Sequence, residues 1–106
     1  MWSQRPPAGV SVFPAINSAI EGLARALAVE LTPLRVNAVS PGTVDTPIYG
    51  GMPAAAREDL FRAFAAAAPL GRVGRPEEVA QTVLYLMTST FTTGSTLYVD
   101  GGFTLR

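Results

Sequence analysis

Only two stretches of this chain favour extended backbone, and they lie far apart. "LRVNAVS", Leu34–Ser40, and "STLYVD", Ser95–Asp100, are rich in β-favouring residues. Between them come two helical stretches, Ala54–Ala67 and a segment from Pro76 to about Met87. Strands separated by helices imply a parallel pair joined by a crossover. Parallel strands normally lie inside larger sheets covered on both faces. A two-stranded sheet is a poor structure by itself. The expectation is an α/β unit whose sheet is incomplete as a stand-alone domain.

A further helix fits Ala15–Leu31, with Asn17, Ser18, Glu21 and Arg25 forming one narrow polar stripe. Nearly all its other positions are apolar or small, which predicts packing on two sides. Glu21 and Arg25 are spaced for an i,i+4 ion pair. Thr32-Pro33 ends this helix, because proline disfavours helical geometry in the residue before it. Residues 1–11, "MWSQRPPAGVS", read as an irregular lead-in. Pro41-Gly42 stops the first strand, and "TVDTPIYGGMP" reads as a loop. In "PLGRVGRPEEVA", Pro76 suits a first helical position and Glu77 and Glu78 the positive end of the helix dipole. Leu60, Phe61 and Phe64 share one side of the Ala54–Ala67 helix.

The composition excludes several function classes. With 106 residues the chain is one small domain at most. It is 48% hydrophobic and 15% charged, which rules out a disordered chain. Its formal net charge is zero and its basic residues are scattered, so it has no nucleic-acid footprint or polybasic membrane patch. Cysteine and histidine are both absent, which excludes disulfides and a zinc site of the usual kind. No carboxylate pair has metal-binding spacing, so no metal is expected. The run "AFAAAAPL", Ala63–Leu70, falls far short of the roughly 20 residues a membrane span needs. No signal peptide is read after Met1. The expected location is the cytoplasm, with which the lack of cysteine is compatible.

Four stretches in order, "AIEGLARALAVEL", "RVNAVSPGTVDTP", "PLGRVGRPEEVA" and "TGSTLYVDGG", resemble the C-terminal part of a short-chain dehydrogenase/reductase. The resemblance covers most of the chain and implies residues 1–106 as the C-terminal segment of an NAD(P)-binding Rossmann domain. It implies a doubly wound parallel sheet of which this chain supplies two strands. The Gly-rich turn that cradles the pyrophosphate has no counterpart here.

In that family a tyrosine acts as acid/base, and a lysine one helical turn later lowers its pKa and holds the nicotinamide ribose. Aligned through "AIEGLARALAVEL", those positions are Phe13 and Asn17. Phe13 has no proton to give and Asn17 no charge, so the chemistry both would supply is absent. The family's catalytic serine falls just before Met1, and Ser3 is too near Phe13 to replace it.

Read from the residues alone, Phe13 is a buried aromatic near a helix start. Asn17 either satisfies a neighbouring backbone group or hydrogen-bonds a ribose. The resemblance assigns Pro41, Gly42, Val44 and Thr46 to the nicotinamide side of an NAD(P) site, Val44 through its backbone and Thr46 through its hydroxyl. A generic turn explains the same residues structurally. Tyr49, Met52, Phe61 and Phe64 lie in the family's variable substrate lid, where an apolar face also serves as core.

The reading is a fragment of an NAD(P)-dependent oxidoreductase, inactive alone, with hydride transfer belonging to an intact parent. NAD(P) binding by this chain alone is not expected. The alternative is a noncatalytic self-association or scaffold module. Self-association is expected through the Ala15–Leu31 helix and the unpaired strand edge.

Overall fold

The parallel pair forms and organises the rest. In the computed structural model, which describes residues 1–4 and 8–105, β1 (Ala38–Pro41) and β2 (Thr96–Val99) make a two-stranded sheet. Their register runs from Ala38 opposite Thr96 to Pro41 opposite Val99. Helix α1 (Val12–Glu30) packs against β1, and α3 (Pro76–Thr88) packs against both strands. Helix α2 (Ala54–Ala67) lies between the β1 and α3 segments in the chain. Single 3-10 turns follow β1, at Pro47–Tyr49, and β2, at Phe103–Leu105. The prolines of the lead-in, Pro6 and Pro7, lie outside the described residues.

Helix α2 has the expected bounds, and α3 starts at Pro76 with Glu77 and Glu78 in its first turn. Helix α1 begins at Val12, three residues before the expected Ala15. Pro14 does not block this, because the first-turn N–H groups have no intrahelical acceptor and a missing one costs nothing there. The first strand is also shorter than Leu34–Ser40. Ahead of Ala38 the two segments stay joined, with side chains replacing part of the backbone ladder. The Asn37 amide donates to Thr92 O at 2.8 Å and accepts from Ser95 N at 3.1 Å, while Val36 N donates to the Thr93 hydroxyl at 3.1 Å.

The orientation of α1 departs most from expectation. Glu21, on the polar stripe, is only 7% exposed, and Ala24 and Ala28 are the other buried residues of the helix. The apolar residues Ile16, Ile20 and Leu23 are each at least half exposed. Packing on two sides is therefore not achieved among the described residues. Nor does Glu21 pair with Arg25. Its carboxylate accepts a 2.8 Å hydrogen bond from the Tyr98 hydroxyl and another from the Ser3 hydroxyl.

By length and composition alone α1 could cross a membrane. Its tie to β2 through Glu21 and Tyr98 instead makes it part of this α/β packing.

No side chain among the described residues is fully buried. The radius of gyration is 15.2 Å, against about 13 Å for a compact domain of this size. The sheet is too small to cover its helices, which matches the C-terminal part of a larger doubly wound sheet.

Arg35 supplies one of the few long-range polar ties. Its guanidinium donates to Leu86 O at 2.7 Å and Met87 O at 3.0 Å, capping the carbonyl end of α3 beside the sheet. Arg35→Ala should lower the unfolding free energy by about 1–2 kcal/mol, since it frees carbonyls held by a charged donor. Urea denaturation at fixed chain concentration checks this; an unchanged midpoint would show that the cap does not stabilise α3.

Candidate functional site

The site begins where β1 ends. Gly42 N donates to Val99 O at 2.9 Å, and a Cβ at Gly42 would stand 2.7 Å from the Asp100 Cα. Only glycine permits this approach of the two strand ends. Beyond it the chain is stitched to the turn before α3. Gly74 N donates to Thr43 O at 2.9 Å, and Asp45 N donates to Gly74 O at 3.0 Å. Val44, between these bonds, is buried.

The turn before α3 is clamped in its own right. The Glu78 carboxylate accepts from Arg75 N at 2.8 Å and from the Arg72 guanidinium at 2.9 and 2.5 Å. The Arg72 hydrogen bonds, helped by the Arg75 backbone N–H, lower the Glu78 pKa to about 2.

Pro41, Gly42, Val44 and Thr46 all line one open depression of about 340 Å³, together with Ile48, Tyr49, Pro76 and Val79. The four residues assigned by resemblance to the nicotinamide side therefore converge. The last four close the wall from the 3-10 turn and from the start of α3. Pro76 and Val79 come from a distant part of the chain, placed there by the Val44–Gly74 bridge. No lining residue is charged, and only Thr46 and Tyr49 bring hydroxyls.

Asn17 lies elsewhere. It is half-buried and lines a smaller hollow of about 240 Å³ with Glu21, Ser40 and Pro41. Pro41 borders both spaces, so the two adjoin there. Phe13 is 54% exposed rather than buried. Its ring meets that of Trp2 edge to face, with ring centroids 5.4 Å apart.

Sequence reasoning placed Glu21 in a surface ion pair and missed its inward position. Burial pushes its pKa up, but the hydrogen bonds from Ser3 and Tyr98 outweigh that and hold it below the ordinary value. A carboxylate one turn after Asn17 on a largely apolar helix was the available signal. The sequence also contains no lysine, all eight basic residues being arginine.

A larger hollow, about 440 Å³, lies between Pro69–Gly74 and the end of β2. Its charged side chains are already engaged. Asp100 accepts from Gly102 N and Thr104 N, and Arg72 pairs with Glu78.

A short parallel pair, a Pro-Gly turn at its carboxyl end and an apolar depression beside it define the ligand-side end of an open α/β sheet. Residues 3–104 match the family model described as enoyl-(acyl carrier protein) reductase. The chain is 40% identical over 105 residues to the short-chain dehydrogenase/reductase ATR9 of Stachybotrys chlorohalonatus, covering 99% of this chain and 41% of that protein. A small-chain dehydrogenase solved in complex with NADPH superimposes with a TM-score of 0.94 at 39% identity, covering all of this chain and 48% of that one. The reductase/Diels-Alderase MalC of Malbranchea aurantiaca superimposes equally well, TM-score 0.94 at 38% identity, covering 99% of this chain and 40% of that one. The chain belongs to the short-chain dehydrogenase/reductase family of oxidoreductases. It spans about two fifths of the length of the curated relatives it matches.

Glu78 gives the clamp a pH signature. Because its pKa is lowered from 4.5 to about 2, its contribution to stability is complete above pH 4.5 and is lost as pH falls towards 2. Wild-type chain should lose stability across that window, and Glu78→Gln should flatten the loss while lowering stability at pH 7. Thermal unfolding from pH 7 to pH 2 measures both effects; parallel profiles for the two proteins would exclude the clamp.

Proposed function

We propose that this chain forms the nicotinamide-side wall of an NAD(P)-dependent oxidoreductase, and that it is inactive alone. The convergence of Pro41, Gly42, Val44 and Thr46 on one depression carries this reading. Val44 offers backbone groups fixed by the bridge to Gly74, and Thr46 offers a hydroxyl for the carboxamide or a phosphate. In an intact parent, hydride would pass between the nicotinamide and a carbonyl or alcohol held beside this wall. The relative solved with NADPH supports a dinucleotide as the ligand class.

The residues present fit only part of such a cofactor. The 106 residues contain no Gly-rich turn for the pyrophosphate. Phe13 and Asn17 offer neither an ionisable hydroxyl nor a positive charge.

A chimera carrying the N-terminal part of an NADPH-binding relative ahead of this chain tests the reading. The chimera should bind NADPH in the micromolar range, and Thr46→Ala should weaken binding about fivefold, the loss of one good hydrogen bond. The 106-residue chain should show neither tight binding nor carbonyl reduction. Phe13→Tyr with Asn17→Lys should raise reduction by the chimera about 10²–10⁴-fold and create none in the isolated chain. Saturable low-micromolar NADPH binding by the isolated chain, or a folded chimera that does not bind it, would overturn the proposal.

The exposed side of α1 supports a second reading, self-association. Val12, Ile16, Ile20 and Leu23 recur along one helix face and are each at least half exposed. The β1 edge facing away from β2 pairs with no other strand among the described residues, which leaves it open to another chain. Light scattering at micromolar concentration should therefore give a mass well above 11.1 kDa. A stable, cooperatively melting monomer would rule this reading out.

A further inference from the structure

We infer that the hollow between α1 and β1 binds a small primary ammonium compound, which donates to the Glu21 carboxylate and the Ser40 hydroxyl. This space meets the depression beside Thr46 only at Pro41, and binding there does not depend on the cofactor reading.

The hollow measures about 240 Å³, and Asn17, Glu21, Ser40 and Thr96 are among its lining residues. Each of the four carries a side-chain oxygen that can accept a hydrogen bond. Glu21 is the charged side chain of the lining and is only 7% exposed. Its two oxygens accept one hydroxyl each, from Ser3 and from Tyr98. A carboxylate has about four acceptor positions, so two remain to be filled. Those hydroxyls hold the Glu21 pKa below its ordinary value against the opposing effect of burial, so the group is an anion at pH 7. Yet the side-chain ion pairs among the described residues all join other groups. A buried charge with hydrogen bonds but no counter-ion is costly, and a cation beside it relieves that cost.

An ammonium group already stands at this place. The Met1 α-ammonium donates to the Ser40 hydroxyl and is attracted by Glu21. Burial nevertheless lowers its pKa, so it gives up its proton more readily than an exposed amine. An alkylammonium, charged at pH 7 as a lysine side chain is, competes well against such a group. Its three N–H donors suit several converging acceptors, and its alkyl part would lie on Ile20 and Val39. Ile20 is 53% exposed and would be covered by it. A divalent metal ion would call for more carboxylates than the single one here.

Titration of the 106-residue chain with propylammonium at pH 7 and constant ionic strength, followed by NMR chemical shifts, tests this. Binding should saturate in the millimolar range and move the Asn17 side-chain amide and Ser40 backbone signals. 1-Propanol keeps the alkyl chain without the charge, and trimethylpropylammonium keeps the charge without N–H donors. Each should bind at least about tenfold more weakly. Glu21→Gln should weaken propylammonium by a similar factor. Because Glu21 also ties α1 to β2, Ser40→Ala is the second variant, and it leaves that tie in place. It should weaken binding about fivefold. Asn17→Lys should abolish binding by filling the hollow with its own ammonium. Equal binding of propanol or of the trimethyl compound, shifts confined to residues outside the hollow, or no saturable binding would each overturn the inference. So would an affinity unchanged by both Glu21→Gln and Ser40→Ala.

Discussion

The short ladder from Ala38–Pro41 to Thr96–Val99 carries the structure, and its carboxyl end closes only because residue 42 has no side chain. Any Cβ there would lie inside the van der Waals envelope of Asp100 and push the two strand ends apart. The consequences run in both directions along the chain. Upstream, Pro41 is held at the meeting point of the two hollows. Downstream, Thr43 to Asp45 emerge at the height needed to reach Gly74, and that bridge brings Pro76 and Val79 to the depression. The site is a product of strand register first and of side-chain chemistry second.

So short a ladder also explains what is left uncovered. Helix α1 buries Glu21, Ala24 and Ala28, a strip of small residues around one carboxylate, and Glu21 ties it to β2. Its larger apolar residues Val12, Ile16, Ile20 and Leu23 are left at least half exposed. A carboxylate is an expensive group to place inward, and here two hydroxyls satisfy it. The inward strip fixes how α1 sits, while the outward face is available to whatever else packs against it.

What was legible in the sequence was mostly local. Pro76 followed by two glutamates announced α3, and the composition between Ala54 and Ala67 gave α2 its bounds. Pro41, Gly42, Val44 and Thr46 line one depression because they follow one another closely in the chain. The start of α1 was obscured by Pro14, whose cost depends on its place within the first turn rather than on its presence. The length of β1 was obscured by Asn37, whose amide substitutes for backbone pairing in a way that no alternation pattern shows. The partners of Glu21, and the wall formed by Pro76 and Val79, depend on contacts between distant segments, which one-dimensional spacing does not encode.

Holding a dinucleotide and moving a proton are separable tasks in this fold. On the proposed reading the first would rest on backbone geometry at Gly42 to Thr46, which is set by the ladder and by the bridge to Gly74. The second needs an ionisable hydroxyl with a cation beside it, and neither Phe13 nor Asn17 provides one. A lysine at Asn17 would stand one turn before Glu21 on the same helix face. Its ammonium would attract a carboxylate that now accepts hydrogen bonds from Ser3 and Tyr98, the tie between α1 and β2. The neutral Asn17 leaves that tie uncontested.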